Sequence, residues 1–414
     1  MNDFESRLRD QLRSEAAHVT ANRSLAEGAR RQAQRIRTRR LVGGGVLVAA
    51  ATGVAIPVVM SLGGSPYALP EPASTPSPTS DGSPDPQPSS SAQVVSPDER
   101  GGTTTLGLDG LSAGAPPEID WIEGQTLHTA DGREITVPDG VFDPLPFGDG
   151  LVGMTSSETG GWDTALVDAD GNLTVHRGSS PAISGDGEMI TWYDADLRQL
   201  RFARAGGATA PEPIAVDGAV GPVGFLGSDS LVVNVGDENP WLSSGVRRYL
   251  VSGGGDSALS ESLLGAVAVS EDGQLVWGLT EQLDSGSCSG VFAVDSADPL
   301  WTTCDYRFHQ FSPDGRYLLG TDIDSDGAGD VIAVVVDART GELVHRFEAP
   351  QPGYIGRTAF EGDDRVLLVY TTSYVEGEGE TAIIRCSLDG SCETATEVRP
   401  AELGTLVYGL SPHP

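Results

Sequence analysis

The chain has 414 residues and sets 26 positive charges against 59 acidic ones, a formal charge of −33, and every one of the 26 is an arginine. The signs are segregated: residues 1–40 hold ten Arg and five acids, and the rest of the chain is overwhelmingly acidic. A folded part that negative repels phosphate backbones and anionic surfaces, which argues against nucleic acid as its partner.

In chain order, residues 1–40 come first. Phe4, Leu8 and Leu12 recur every four residues and Val19 follows, so the spacing predicts an amphipathic helix with basic neighbours. Such a stripe lies on an anionic inner leaflet or docks a cytoplasmic protein. From Leu41 to Leu62 the chain then reads LVGGGVLVAAATGVAIPVVMSL, 22 residues without a charge. At about 1.5 Å per residue a helix of that length crosses a hydrocarbon core of roughly 30 Å. RRQAQRIRTRR precedes the run and the next arginine is Arg100. The positive-inside bias therefore predicts a single-pass cell-membrane protein with a cytoplasmic N-terminus and everything after the span outside. Cleavage as a signal, near the small residues Ser61 and Gly63, is the alternative. Residues 63–104 read as an extracytoplasmic stalk, because the nine prolines between residues 65 and 100 stand among Ser, Thr, Asp and Gly.

Residues 105–414 carry a repeat. ISGDGEMITW, VSEDGQLVWG and FSPDGRYLLG place Asp186, Asp272 and Asp314 in equivalent turns. The first gap is about twice the second and predicts a hidden member. FLGSDSLVVN supplies it, with Asp229 midway. Weaker copies stand at Asp149 and Asp363. A period of 40 to 45 residues built from short strands and Asp/Gly turns is that of a four-stranded propeller blade. At the two ends, the hairpin QTLHTADGREITV from Gln125 lacks an innermost strand, and TLVYGLSPHP from Thr405 is an innermost strand with nothing after it. Joined, they close a ring and remove exposed sheet edges. The fold class expected is therefore all-β: a propeller of seven four-stranded blades, with six or eight as fallback, sharing one blade between its termini and preceded by one transmembrane helix.

Four cysteines lie in the C-terminal third, none in a CxxC pair, which speaks against a zinc knuckle or a thioredoxin-like site. Cys386 and Cys392 flank a Leu-Asp-Gly turn. We expect Cys386 bonded to Cys392 and Cys288 to Cys304, in an oxidising compartment. The segment TDIDSDGAGDV sets Asp322, Asp324, Asp326 and Asp330 around Gly327 as D-x-D-x-D-G-x-x-D, carboxylates suited to calcium, the one cofactor expected. An acidic, solvated loop is the alternative. His18, His128, His176, His309, His345 and His413 are scattered singly, and no HExxH, GxSxG or phosphate-cradling glycine loop occurs. No catalytic residue is assigned.

At FSPDGRYLLG and DARTGELVHRF the chain resembles the WD-repeat-like and TolB-type propellers of bacteria. Residues 118–414 as a whole are similar to a family of actinobacterial membrane-anchored members. No Gly-His pair opens a blade, however, and Trp162-Asp163 precedes a strand. The Arg-rich stub resembles the tails of actinobacterial membrane proteins associated with sigma factors, without a zinc-binding His/Cys set. What we expect is an extracytoplasmic binding or interaction module for a protein or glycan ligand. A transmembrane sensor whose cytoplasmic helix regulates a sigma factor or other transcription factor is a second expectation, and a hydrolase or lyase on the propeller scaffold a third.

Overall fold

A computed structural model describes residues 93–94, 101–157, 161–236, 245–253, 255–283, 286–323, 329–373, 375, 379–401 and 407–411. Residues 1–40, expected to be a cytoplasmic stub, the expected span at 41–62, His18 and His413 lie outside these residues. Among the described residues no helix is long and apolar enough to cross a membrane. Among the described residues one 3-10 turn, Ala205–Gly207, interrupts a fold otherwise built of strands.

The strands form seven sheets, each with a four-stranded antiparallel core, so the protein is a seven-bladed β-propeller. Blade 1 is shared by the two ends of the domain. From the axis outward it comprises Tyr408–Leu410, Trp121–Glu123, Thr126–His128 and Glu134–Thr136. Its closing register pairs Trp121 with Leu410 and Glu123 with Tyr408. The hairpin seen in the sequence supplies the two outer strands, and Trp121–Glu123 adds the strand between them and the C-terminal one. Blades 2 to 7 span 142–176, 182–215, 219–260, 265–303, 306–348 and 354–394, each running from its innermost to its outermost strand.

Each sheet is sandwiched between two neighbours, so its middle strands are apolar on both faces and do not alternate. Ala333–Val336 in blade 6 and Val366–Leu368 in blade 7 are fully buried for this reason. Between blades 5 and 6 the contact is aromatic: Trp277, Trp301 and Phe308 meet at 4.9–6.0 Å, and the Trp301 indole N–H donates to the Ala338 carbonyl at 2.8 Å. Burying a ring of this size removes roughly 150–250 Å² from water, on the order of 4–6 kcal/mol each.

The repeated aspartates all sit on the turn between the first and second strands. In blades 3, 5 and 6 the turn is built identically. A buried serine, Ser184, Ser270 or Ser312, donates its hydroxyl to the carboxylate of Asp186, Asp272 or Asp314 at 2.5–2.7 Å. The serine oxygen accepts the N–H that opens the next strand at 2.9 Å, and the aspartate accepts another at 3.0 Å. Gly187, Gly273 and Gly315 then take φ of 68–69°, a conformation open to glycine without steric cost. These hydrogen bonds, led by that from Ser184, hold the Asp186 carboxyl below its ordinary range. Asp168, Asp337 and Asp389 cap the outer hairpins of their blades in a similar way. Six of the 59 acidic residues are thus part of turn chemistry.

A strap precedes blade 1 and runs along the outer edges of three blades. Gln93–Val94 pairs in parallel with Trp301–Thr302, Gly102–Thr105 with His345–Glu348, and Ala113 bridges to Thr394. Part of it, up to residue 104, belongs to the segment read as stalk. Two disulfides tie outer strands together: Cys288 to Cys304 in blade 5, and Cys386 to Cys392, which are direct cross-strand partners in blade 7.

Candidate binding site in the central channel

The innermost strands border the propeller axis, and five of them leave regular pairing near the same level. The ladder shifts between Phe142 and Leu145, Pro222 and Gly224, Ala266 and Ala268, Phe308 and Gln310, and Ile355 and Thr358. A bulge frees a residue from the ladder and re-aims its side chain. The residues released are Asp143 with Pro144, Val223, Val267, His309, and Gly356 with Arg357. Val267 is 52% exposed, and His309 and Arg357 are exposed as well, whereas Ala266, Phe308 and Ile355 beside them are buried between blades. One backbone device, repeated around the ring, presents different chemistry to the channel in each blade.

On blades 4 and 5 the bulges carry apolar residues: Val267 is exposed, and Val223 is half-buried against the core between the two blades. Blades 6, 7 and 2 make a polar wall. The Arg357 guanidinium pairs with the Asp143 carboxylate, reaching past blade 1, and Asp143 holds φ at 47° to do so. His309 Nε2 shares a hydrogen bond of 2.8 Å with Thr358 Oγ1. Arg307, two residues before His309 and exposed like it, forms no ion pair among the described residues. The His309 ring is open to the channel yet surrounded by protein. This enclosure, reinforced by Arg357 and Arg307, pushes its pKa down to about 4. At neutral pH the polar wall therefore holds Arg307, Arg357, Asp143 and an uncharged imidazole, a net charge of one positive in a strongly negative protein.

The two ends of the channel open on unlike faces. The face carrying the repeated aspartates, here the turn face, is made of short, hydrogen-bonded turns. The opposite one, the loop face, carries Phe142, Trp162, Leu197, Leu264, Leu283 and Val398, each at least 37% exposed. Phe142 and Trp162 meet edge to face at 5.6 Å. Toward the turn face the described exposed large apolar residues are Leu250, which closes a third strand, and Leu173 and Leu300, at the start of fourth strands on the outer edge.

The acidic segment of blade 6 begins and ends in described structure. Asp322 closes the second strand, and the Asp330 backbone exchanges hydrogen bonds of 2.7 and 2.8 Å with Ile355 of blade 7. Asp324, Asp326 and Gly327 lie outside the described residues. His128 stacks on Trp121 at 4.2 Å, and His176 packs against Trp192 at 4.8 Å. His345 hydrogen-bonds Thr104 of the strap at 2.9 Å. Burial lowers the pKa of His176 and His345. Among the described residues the histidines do not converge, and His309 alone of them lies on an innermost strand. The channel residues leave a faint trace in sequence: in YRFHQF, directly ahead of a repeat anchor, Arg307 and His309 alternate with buried aromatics.

No protein-family model and no curated protein matches the chain. Among solved structures it is similar to the β-propeller domain of Cps50 (Swd1) from Myceliophteria thermophila, at 10% identity and a TM-score of 0.42, over 65% of this chain and 90% of that one. It is also similar to a putative TolB from Agrobacterium tumefaciens, at 16% identity and a TM-score of 0.38, over 60% and 88%. A third likeness is to apo AztD from Citrobacter koseri, at 14% identity and a TM-score of 0.39, over 70% and 97%.

Proposed function

We propose that the chain is a membrane-tethered binding module whose propeller, outside the cytoplasm, docks a protein partner on its loop face. The observation that carries the reading is the partition of exposed apolar side chains. Exposed apolar surface can mark an interaction surface, and here six such residues, Phe142 and Trp162 in contact among them, stand at the end opposite the aspartate turns, against three toward the turn face. The uncharged segment 41–62, with arginines on one flank, supports a tether. Two disulfides support an oxidising compartment. The reading is tested by placing a photo-crosslinking residue at Trp162 or Leu197 on the loop face, or at Asp168 or Arg339 on the turn face, in intact cells. We expect one discrete adduct from the first pair and none from the second. Equal labelling from both faces, or no adduct from either, would sink it.

A further inference from the structure

We propose that the central channel binds a small organic monocarboxylate, its carboxylate on Arg307 and its apolar body against Val223 and Val267. The inference goes beyond the docking face and does not depend on it.

Three observations lead there. Among the described arginines, several pair with carboxylates, as Arg247 does with Asp256 and Arg399 with Glu123; of those that show no ion pair, Arg307 is the one on an innermost strand. Its planar fork is suited to a carboxylate, and the enclosure of the channel strengthens charge pairing relative to open water. Charge then selects the anion. Asp143 already balances Arg357 and His309 is neutral, which leaves one positive charge and matches a monoanion better than inorganic phosphate. Finally, Val267 is 52% exposed at its bulge, and Val223, at the equivalent bulge of blade 4, leaves part of its surface uncovered beside the core it packs on. An apolar body laid along them would cover surface otherwise wetted, while the polar wall takes the head group. Gly221 and Gly265, two residues before those bulges as Arg307 is before His309, add no side chain at the level of the guanidinium.

Hexanoate is the probe, titrated calorimetrically into the full chain beside hexanol and inorganic phosphate. We expect saturable hexanoate binding that weakens at least tenfold in Arg307→Gln and is unchanged in Arg339→Gln, which alters an exposed turn-face arginine. Val267→Glu, at an exposed site where folding tolerates the change, sets a carboxylate in the channel and is expected to weaken hexanoate equally. The assignment is overturned if hexanoate gives no saturable heat, if hexanol or phosphate binds as tightly, or if affinity survives in either Arg307→Gln or Val267→Glu. A failed crosslink on the loop face leaves these outcomes unaffected, so the two proposals fall separately.

Discussion

Arg385 and Glu361 face each other in blade 7 as a two-pronged ion pair, the first 6% and the second 1% exposed. The same guanidinium donates to the strap carbonyls of Ala115 and Pro116 at 3.1 and 2.9 Å and to Glu393 at 2.8 Å. Glu361 in turn accepts the Glu118 N–H at 2.7 Å. Burial works against the Glu361 charge, but the hydrogen bonds from Arg385 and Glu118 overcome it and keep the carboxyl below its ordinary range. One buried pair thus fixes the strap just before it becomes the second strand of blade 1.

Removing one partner leaves the other charged and buried. Arg385→Met is expected to cost about 3–5 kcal/mol, read from chemical denaturation of the purified protein. Arg385→Met combined with Glu361→Leu is expected to recover part of that loss, since no orphan charge remains. Equal stability of wild type and the single variant would show that the pair does not hold the strap.

The serine turns offer a more local test. Ser270 is fully buried and its hydroxyl oxygen is the partner of the Leu275 N–H. Ser270→Ala strands that donor and is expected to cost about 1–3 kcal/mol. Gly273 holds φ at 68°, and Gly273→Ala is expected to cost about 1–2 kcal/mol. Thermal melts of the two variants beside an exposed control, Thr174→Ser, separate these losses from general fragility.

These turns also explain what was legible in the chain. Ser-x-Asp-Gly is satisfied within six residues, so physics writes it locally, and it recurs in blades 3, 5 and 6. Asp229, in Gly-Ser-Asp-Ser, lacks that motif and is legible only because the blades recur at an even period. Trp121–Glu123 escaped because three residues before a Gly-Gln turn carry too little pattern to announce a strand. The Asp143–Arg357 pair joins positions 214 apart, and only ring closure brings them together. Bulges compound the difficulty, since an inserted residue breaks the two-residue alternation that tells a channel-facing side chain from a buried one. The strap is invisible for a related reason: Gly102–Thr105 is a strand only because His345–Glu348 offers it an edge.

The two disulfides are expected to differ in worth. Cys288 and Cys304 are 16 residues apart, while Cys386 and Cys392 are separated by six. Loop-closure entropy assigns about 3 kcal/mol to the longer loop and about 2 kcal/mol to the shorter. Denaturation of Cys288→Ser/Cys304→Ser and Cys386→Ser/Cys392→Ser double variants compares them directly. A larger loss in the second would mean that packing in blade 7, where Cys386 is fully buried, outweighs chain entropy.

Acid should weaken the strap through His345. The ring is 4% exposed, stacks near Phe347 at 4.7 Å and shares its Nε2 with Thr104 of the strap. Burial lowers its pKa, against a smaller opposing pull from the Leu388 backbone and Asp389. The folded protein therefore favours the neutral ring, whereas the unfolded chain takes a proton near its ordinary value of about 6.5. Proton uptake by the unfolded state makes stability complete above that value, and it declines as the pH falls from there toward the folded pKa. His309 acts with the same sign, over a window from about 6.5 to about 4. Carboxylates are still largely ionised at pH 5, so comparing pH 7.5 with pH 5.0 isolates the histidines from relief of the acidic surface. We expect the denaturation midpoint of the wild type to drop across that interval and that of His345→Gln to drop less. Parallel pH profiles for the two proteins would remove His345 from the account and leave the decline to His309 and His176.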